Sequence, residues 1–180
     1  STPFSVSSPA EAFHILYKDT SYSPFAARWK KRRHVVVVGA NDGMMHAFNG
    51  GFFDSGSNKF CLTSDCESES TAMELGAELW SYVPYNLWPH LSCLTNDDYK
   101  DEHKYFVDLR PRIFDVKIFD EEAACDTSKT DDGCYHPNGW GTLLVGGMRF
   151  GGAPLTETQI SAAGDMDSDD DSDGDGASHP

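Results

Sequence analysis

Short runs of alternating apolar and polar residues, separated by turn-forming residues, dominate the first 150 positions of the chain. Residues 33–40 contain four consecutive valines, and Asn41-Asp42-Gly43 separates them from a second apolar run at residues 44–48. Asn, Asp and Gly tolerate the positive φ that a tight hairpin requires, so the pattern predicts strand, turn and strand. A further turn is predicted at Asn49-Gly50-Gly51.

Five later segments also have recognisable patterns. Residues 77–84, 104–109, 112–119 and 141–148 predict strands, the last of them buried, because each is short, rich in β-forming residues and bounded by turn residues. The alternation in the third of these strands predicts two faces, one with Ile113, Asp115, Lys117 and Phe119 and the other with Phe114, Val116 and Ile118. Apolar residues at helical spacing predict a short helix over residues 85–94, interrupted by Pro89.

The chain as a whole is predicted to be all-β. Residues 30–152 sustain no helical period, and the short strands with Gly and Asn punctuation favour a propeller or a sandwich. A propeller blade takes about 40–50 residues, so this chain can supply only two to four blades and cannot close a ring alone. We therefore expect a partial β-propeller in residues 33–152, an irregular lead-in in residues 1–32 and an acidic tail in residues 153–180. The chain is then a piece of a longer protein or a split gene product.

Composition and charge exclude several classes of protein. The chain has 180 residues, of which 39% are hydrophobic, which is enough for a packed core. Its formal net charge of -15 repels phosphate backbones, so a nucleic-acid binder is not expected. The longest apolar run, at residues 35–38, is too short to cross a bilayer, and no transmembrane segment is expected.

The five cysteines form two closely spaced pairs and a singleton. Cys61 with Cys66 and Cys125 with Cys134 bracket polar, turn-rich intervals, as expected of local disulfides in an oxidising compartment. Free thiols and zinc are the alternatives, although neither pair has the spacing of a structural zinc site. Cys93 is interpreted as a buried free thiol.

Five motifs occur in the order found in one known family. They are residues 35–48 (Val-Val-Val-Val-Gly-Ala-Asn-Asp-Gly-Met-Met-His-Ala-Phe), residues 78–84 (Glu-Leu-Trp-Ser-Tyr-Val-Pro), residues 89–91 (Pro-His-Leu), residues 105–108 (Tyr-Phe-Val-Asp) and residues 139–147 (Gly-Trp-Gly-Thr-Leu-Leu-Val-Gly-Gly). In this order they resemble the C-terminal β-propeller of PilY-type type IV pilus biogenesis proteins, which are quinoprotein-like in their blades. The resemblance covers roughly residues 1–152, but the later blades that should follow Gly152 are missing.

The resemblance implies location, partners and function. It implies an extracellular, outer-membrane or periplasmic protein that is associated with the pilus and has no enzymatic activity. Its expected partners are pilin or pilus-tip proteins, another chain that completes the propeller, and a host or abiotic surface. Such proteins support pilus extension, antagonise retraction, contribute to adhesion, and carry calcium loops.

The acidic tail contains the candidate metal ligands. From Gly151 to the end there is no Lys or Arg, and alternating aspartates precede glycines, as a calcium loop requires. The candidate ligands are Asp167, Asp169, Asp171, Asp173 and Asp175. The tail can be aligned with the calcium-loop pattern in two ways, beginning at Asp169 or at Asp171. Neither alignment supplies the bidentate glutamate of a complete loop. A solvated acidic linker is the alternative.

No arrangement of residues predicts an active site. The histidines lack metal-binding spacing, and no Gly-x-Ser-x-Gly elbow occurs. The basic run Lys30-Lys31-Arg32-Arg33 is interpreted as a solvated approach to the first strand, with a docking patch for an acidic partner as the alternative. Two other functions stay open, a quinone-dependent dehydrogenase-like propeller and a generic extracellular scaffold on a filament.

Overall fold

A computed structural model describes residues 1–66, 72–95, 99, 104–120 and 134–151. In these residues strands predominate, so the prediction of an all-β chain is confirmed. The strands are β1 (Phe4–Val6), β2 (His34–Gly39), β3 (Met45–Asp54), β4 (Lys59–Cys61), β5 (Glu78–Tyr82), β6 (Arg112–Lys117) and β7 (Trp140–Val145). The helices are α1 (Phe13–Leu16), α2 (Tyr22–Arg28) and the 3-10 segments Tyr85–Thr95 and Pro137–Gly139.

An antiparallel sheet of five strands forms the first half of the fold. The order β1-β2-β3-β4 runs through the sheet, and β5 pairs with the N-terminal part of β3. The predicted hairpin is confirmed, because β2 and β3 pair from Gly39 opposite Met45 onward around the turn at Asn41-Asp42-Gly43. Gly43 has a φ of 94°, and the amide of Met44 donates to Asp42 Oδ1 at 3.0 Å. The tight turn with a positive φ that the sequence predicts is therefore present at Gly43.

The predicted turn at residues 49–51 is wrong, because β3 continues through it to Asp54. The register shifts between His34 and Val35, so the strand absorbs an extra residue instead of reversing. Asn49 is buried and accepts from the amide of Gly51 at 2.9 Å, while its Nδ2 donates to the carbonyls of Met73 and Glu74. The asparagine thus stabilises an irregularity within a strand, where glycine again supplies a positive φ of 75°.

A second sheet consists of β6 and β7, paired antiparallel from Arg112 opposite Val145 to Lys117 opposite Trp140. The two predicted faces of β6 are confirmed: Ile113 and Asp115 are buried, while Phe114 is exposed. The prediction of a buried strand at residues 141–148 is wrong in extent and burial. Strand β7 ends at Val145 and alternates between half-buried and exposed residues after Gly141. Within the described residues, the two sheets do not close into a barrel or a propeller.

Residues 104–109 connect the two sheets and do not form the predicted strand. The amide of Val107 donates to the carbonyl of Ala40, and that of Leu109 donates to the carbonyl of Gly147. Each neighbouring segment therefore offers a single backbone-to-backbone bond, so no ladder forms. Phe106 and Val107 are instead buried in the main core, where they join the side chains of Val37, Met45, Ala47, Leu87 and Ile113.

The N-terminal segment contains structure where an irregular lead-in was expected. Strand β1 pairs with β2 in the first sheet, and α2 packs against β7 in the second. The rings of Tyr22 and Trp140 meet edge to face with centroids 4.9 Å apart, in a small second core that also contains Phe25. The segment therefore contacts both sheets.

The predicted short helix at residues 85–94 is present as the 3-10 segment Tyr85–Thr95, and Pro89 lies inside it. None of the helices in the described part of the chain has the length and apolar character needed to cross a membrane.

Candidate functional site

The outer face of the second sheet is apolar and open to solvent. We use "outer face" for Phe114, Leu143 and Val145, which are 45%, 38% and 47% exposed. Phe114 and Leu143 lie directly opposite each other on β6 and β7, and Val145 lies opposite Arg112. An exposed apolar face of this kind is a candidate surface for further packing.

A groove of about 250 Å³ lies where β5, residues 105–109 and the end of β7 approach one another. Its walls are largely apolar and include Met45, Tyr82, Pro84, Val107, Leu144 and Met148. Trp80 and Tyr82 are exposed on β5, which pairs with β3 as its only strand partner among the described residues. An exposed strand edge beside an apolar groove is suited to the addition of another strand.

A cluster of charged side chains lies on the first sheet beside β5. His46 Nδ1 is 2.6 Å from Glu78 Oε1, and His46 Nε2 is 2.8 Å from Asp42 Oδ2. The hydrogen bond to Glu78 has the largest effect and raises the pKa of His46, together with that to Asp42 and against desolvation of the ring. The cluster connects the hairpin turn, β3 and β5 through one imidazole.

Sequence reasoning did not identify this cluster. It treated Asp42 as a turn residue and the histidines as scattered, because Glu78 is 32 residues from His46 along the chain. The register that places His46 opposite Ser81 brings Glu78 close. Only the separation of four residues between Asp42 and His46, across a predicted hairpin turn, could have indicated part of it.

A buried polar network joins the N-terminal segment to the second sheet. Asp115 accepts from the Tyr22 hydroxyl at 2.7 Å and from the Thr142 hydroxyl at 2.9 Å. Arg32 lies 3.8 Å from Asp115 and donates to the hydroxyl of Thr142 and to the carbonyl of Ser7. Burial, followed by the hydrogen bond to Asp115, raises the pKa of Tyr22, so the phenol stays protonated as a donor. The network is structural, because each of its polar side chains is hydrogen-bonded or ion-paired to another group in the protein.

The predicted metal ligands Asp167, Asp169, Asp171, Asp173 and Asp175 all lie outside the described residues. Among the residues that are described, no group of three or more His, Cys, Asp or Glu side chains is arranged to hold a metal ion.

Two of the predictions for cysteine are confirmed. Cys61 and Cys66 form the predicted disulfide, with Cα atoms 5.2 Å apart. Cys93 is a free thiol, although half-buried where a buried one was predicted. Cys134 is disulfide-bonded, and its predicted partner Cys125 lies outside the described residues.

Comparison with known proteins gives three similar sequences. A type IV pilus biogenesis factor PilY1 homolog of Xylella fastidiosa is 28% identical over 145 residues, which is 79% of this chain and 8% of that protein. A second homolog from the same organism is 27% identical over 144 residues, and type IV pilus biogenesis factor PilY1 of Pseudomonas aeruginosa is 26% identical over 146 residues. The chain is PilY1-like. The resemblance read from the motifs is thereby confirmed.

The PilY1-like chain spans less than a tenth of the length of these relatives, between 7% and 9%. No family model matches it, and the search of solved structures gave no match.

Proposed function

We propose that the chain is a non-enzymatic component of type IV pilus biogenesis and surface adhesion. The observation that carries this proposal is the similarity to pilus biogenesis factors over about 80% of the chain. In this role it acts outside the cytoplasm, in the periplasm, at the outer membrane or on the pilus. Its partners are pilin or pilus-tip proteins, and through them a host or abiotic surface.

The same proposal includes a propeller that another chain completes. Strands β1, β2, β3 and β5 are consecutive neighbours in an antiparallel sheet, as the four strands of a propeller blade are. The second sheet supports the same idea because, as far as the described residues go, it has two strands and an exposed outer face where a full blade has four strands. The proposed occupant of the outer face is an antiparallel sheet of the partner chain.

Calcium binding by the acidic tail is proposed from sequence alone. Alternating Asp carboxylates supply the hard oxygen ligands that Ca²⁺ prefers, and glycines between them permit a tight bend.

The outer face provides a direct test in cells. In the strain that carries this chain, the double substitution Phe114→Glu and Leu143→Glu places two charges on the outer face. We expect loss of surface pili and of twitching, because two buried charges would prevent the partner sheet from packing. The control is Ile15→Glu together with Leu16→Glu on α1, since both residues are exposed and neither belongs to the outer face.

The matching biochemical measurement is co-purification with pilin. Wild type and the control variant should co-purify with it, and the outer-face variant should not. Normal piliation of the outer-face variant would contradict the proposed packing. Adhesion without any association with pilin would favour the scaffold alternative, and piliation unaffected by deletion of the chain would contradict the role in pilus biogenesis.

A further inference from the structure

A cavity of about 480 Å³ lies between α2, the start of β2 and the start of β7. Its volume lies within the range of small-molecule sites. The wall combines the cationic side chains of Arg32 and Arg33 with the aromatic rings of Phe25, Trp29 and Tyr135. Among the described residues that line it, none is acidic, although the chain as a whole has a net charge of -15.

The two arginines differ in how their charge is balanced. Arg32 lies 3.8 Å from the buried carboxylate of Asp115, which compensates its charge. Arg33 donates from Nη1 to Asn49 Oδ1 at 2.9 Å and lies over the ring of Phe52, with its guanidinium carbon 4.9 Å from the ring centroid. Neither Asn49 nor Phe52 supplies a negative charge. One positive charge at the cavity wall is therefore without a carboxylate partner among the described residues.

Two histidines lie beside the arginine pair, since His34 follows Arg33 in the chain and His136 is part of the cavity wall. Desolvation, and next the positive charge of Arg32, lower the pKa of the adjacent His34. His136 also lines the cavity, with its ring stacked on Phe119 at a centroid distance of 4.0 Å. A guanidinium at a partly desolvated wall binds a carboxylate through charge-assisted, paired hydrogen bonds.

We propose that this cavity binds a small monocarboxylate with an aromatic or branched apolar body. The single uncompensated guanidinium of Arg33 matches one negative charge, which favours a carboxylate over a doubly charged phosphate monoester. The rings of Phe25, Trp29 and Tyr135 provide the surface for the apolar body. Neither the pilus role nor the acidic tail requires such a site, so the proposal stands apart from both.

The test uses isothermal titration calorimetry on the full chain with 3-phenylpropionate as the probe. The neutral isostere 3-phenylpropanamide controls for the charge, and phenyl phosphate controls for the class of anion. We expect the carboxylate to bind at least about tenfold more tightly than the amide, because the amide cannot form the charge-assisted pair. Its affinity should fall at high salt.

Two variants locate the site. Arg33→Gln should weaken binding of the carboxylate by about tenfold or more and leave binding of the amide unchanged. Arg112→Gln makes the same change of charge at an exposed position that does not line the cavity, and should bind as wild type does.

Three results would overturn the proposal: equal binding of carboxylate and amide by wild type, unchanged carboxylate binding in the folded Arg33→Gln variant, or tighter binding of phenyl phosphate. The comparison of probes on wild type needs no substitution, so it decides the matter even if Arg33→Gln fails to fold.

Discussion

His46 is a single residue on which three parts of the first sheet depend. Its imidazole lies between Glu78 and Asp42, and the ring stacks on Phe48 with centroids 5.9 Å apart. The hydrogen bond to Glu78 raises the pKa of His46 above its ordinary value near 6.5. Protonated His46 should therefore stabilise the fold fully below about pH 6.5, and this stabilisation should be lost as the pH rises through the folded pKa.

Titration of the imidazole resonances by NMR measures this directly. His34 provides an internal control, since burial, and next the charge of Arg32, lower its pKa. We expect the midpoint of His46 above 6.5 and that of His34 below it. The effect of His46→Asn on stability should be at most about 1 kcal/mol at about pH 5.5, because both carboxylates are nearly half exposed. A midpoint for His46 at or below that of His34 would contradict the prediction.

Tyr22 makes the buried network sensitive to the loss of one oxygen atom. Tyr22→Phe removes the donor to Asp115 and leaves the packing of the ring on Trp140 intact. The free energy of unfolding should fall by about 2 kcal/mol, as expected for a buried hydrogen bond to a charged acceptor. Urea denaturation provides the measurement, and Tyr17→Phe is the control because Tyr17 is 75% exposed. The prediction fails if the two substitutions have equal effects.

At the scale of elements, the connection between the sheets depends on the lack of a side chain at Gly39. A Cβ atom there would overlap the carbonyl oxygen of Val107 and lie 2.6 Å from its Cγ1. Because the backbone of residues 104–109 is fixed by bonds to both sheets, it cannot move away without cost. Gly39→Ala should reduce the free energy of unfolding by about 3 kcal/mol.

The control for this substitution is Gly56→Ala. A Cβ at Gly56 would lie 3.5 Å from Asp54 Oδ1, which is an ordinary contact, and Gly56 does not have a positive φ. Thermal unfolding should show a clear loss for Gly39→Ala and a change within about 0.5 kcal/mol for Gly56→Ala. Equal stability of the two variants would mean that the connector is not held against Gly39.

The elements that the sequence predicts correctly are those that local chemistry determines. The β2–β3 hairpin needs only a turn that tolerates positive φ, and Asn41-Asp42-Gly43 supplies it. The similar Asn49-Gly50-Gly51 does not reverse the chain, because Asn49 bonds to the carbonyls of residues 73 and 74, which no local pattern reveals. Residues 104–109 have the pattern of a strand, but their neighbours offer them no ladder.

Burial is the other property that the local pattern does not determine. The face of β6 with Asp115 is the buried one, whereas Phe114 on the opposite face is exposed. Hydrophobicity alone would predict that the face with Phe114 is buried and the face with Asp115 is exposed. The inward carboxylate is satisfied by Tyr22 and Thr142, which come from distant parts of the chain, so its burial follows from tertiary contacts. The charged cluster at His46 and the cavity lined by Arg33 also depend on contacts between residues that are far apart in the chain.

At the scale of the whole molecule, the distribution of charge predicts a response to calcium. The tail contributes seven Asp and one Glu without any Lys or Arg, and it is the most acidic part of a chain with a net charge of -15. An open loop of this type binds Ca²⁺ with a dissociation constant of about 1 mM. If the folded chain alone forms the site, about 10 mM Ca²⁺ adds about 1.4 kcal/mol to the free energy of unfolding.

Thermal melts with calcium, with magnesium and with chelator measure this response on the full chain and on one that ends at Gly152. We expect calcium to raise the midpoint of the full chain by about 4 °C. Magnesium should not, because it demands a stricter octahedral geometry than an open loop supplies. The full chain with Asp167, Asp169, Asp171, Asp173 and Asp175 all replaced by Asn keeps its length and should lose the response.

The pattern across these samples distinguishes a site from simple screening of charge. Equal shifts with calcium and magnesium would mean that the cations only reduce self-repulsion in the tail. A calcium shift that persists in the shortened chain would place the ion elsewhere than on the five aspartates. No shift in the full chain would mean that the tail is a solvated linker, because an ion that binds the folded and unfolded chain equally cannot stabilise either. A shift seen only in the full chain with its aspartates intact requires that the tail forms its site together with the folded sheets.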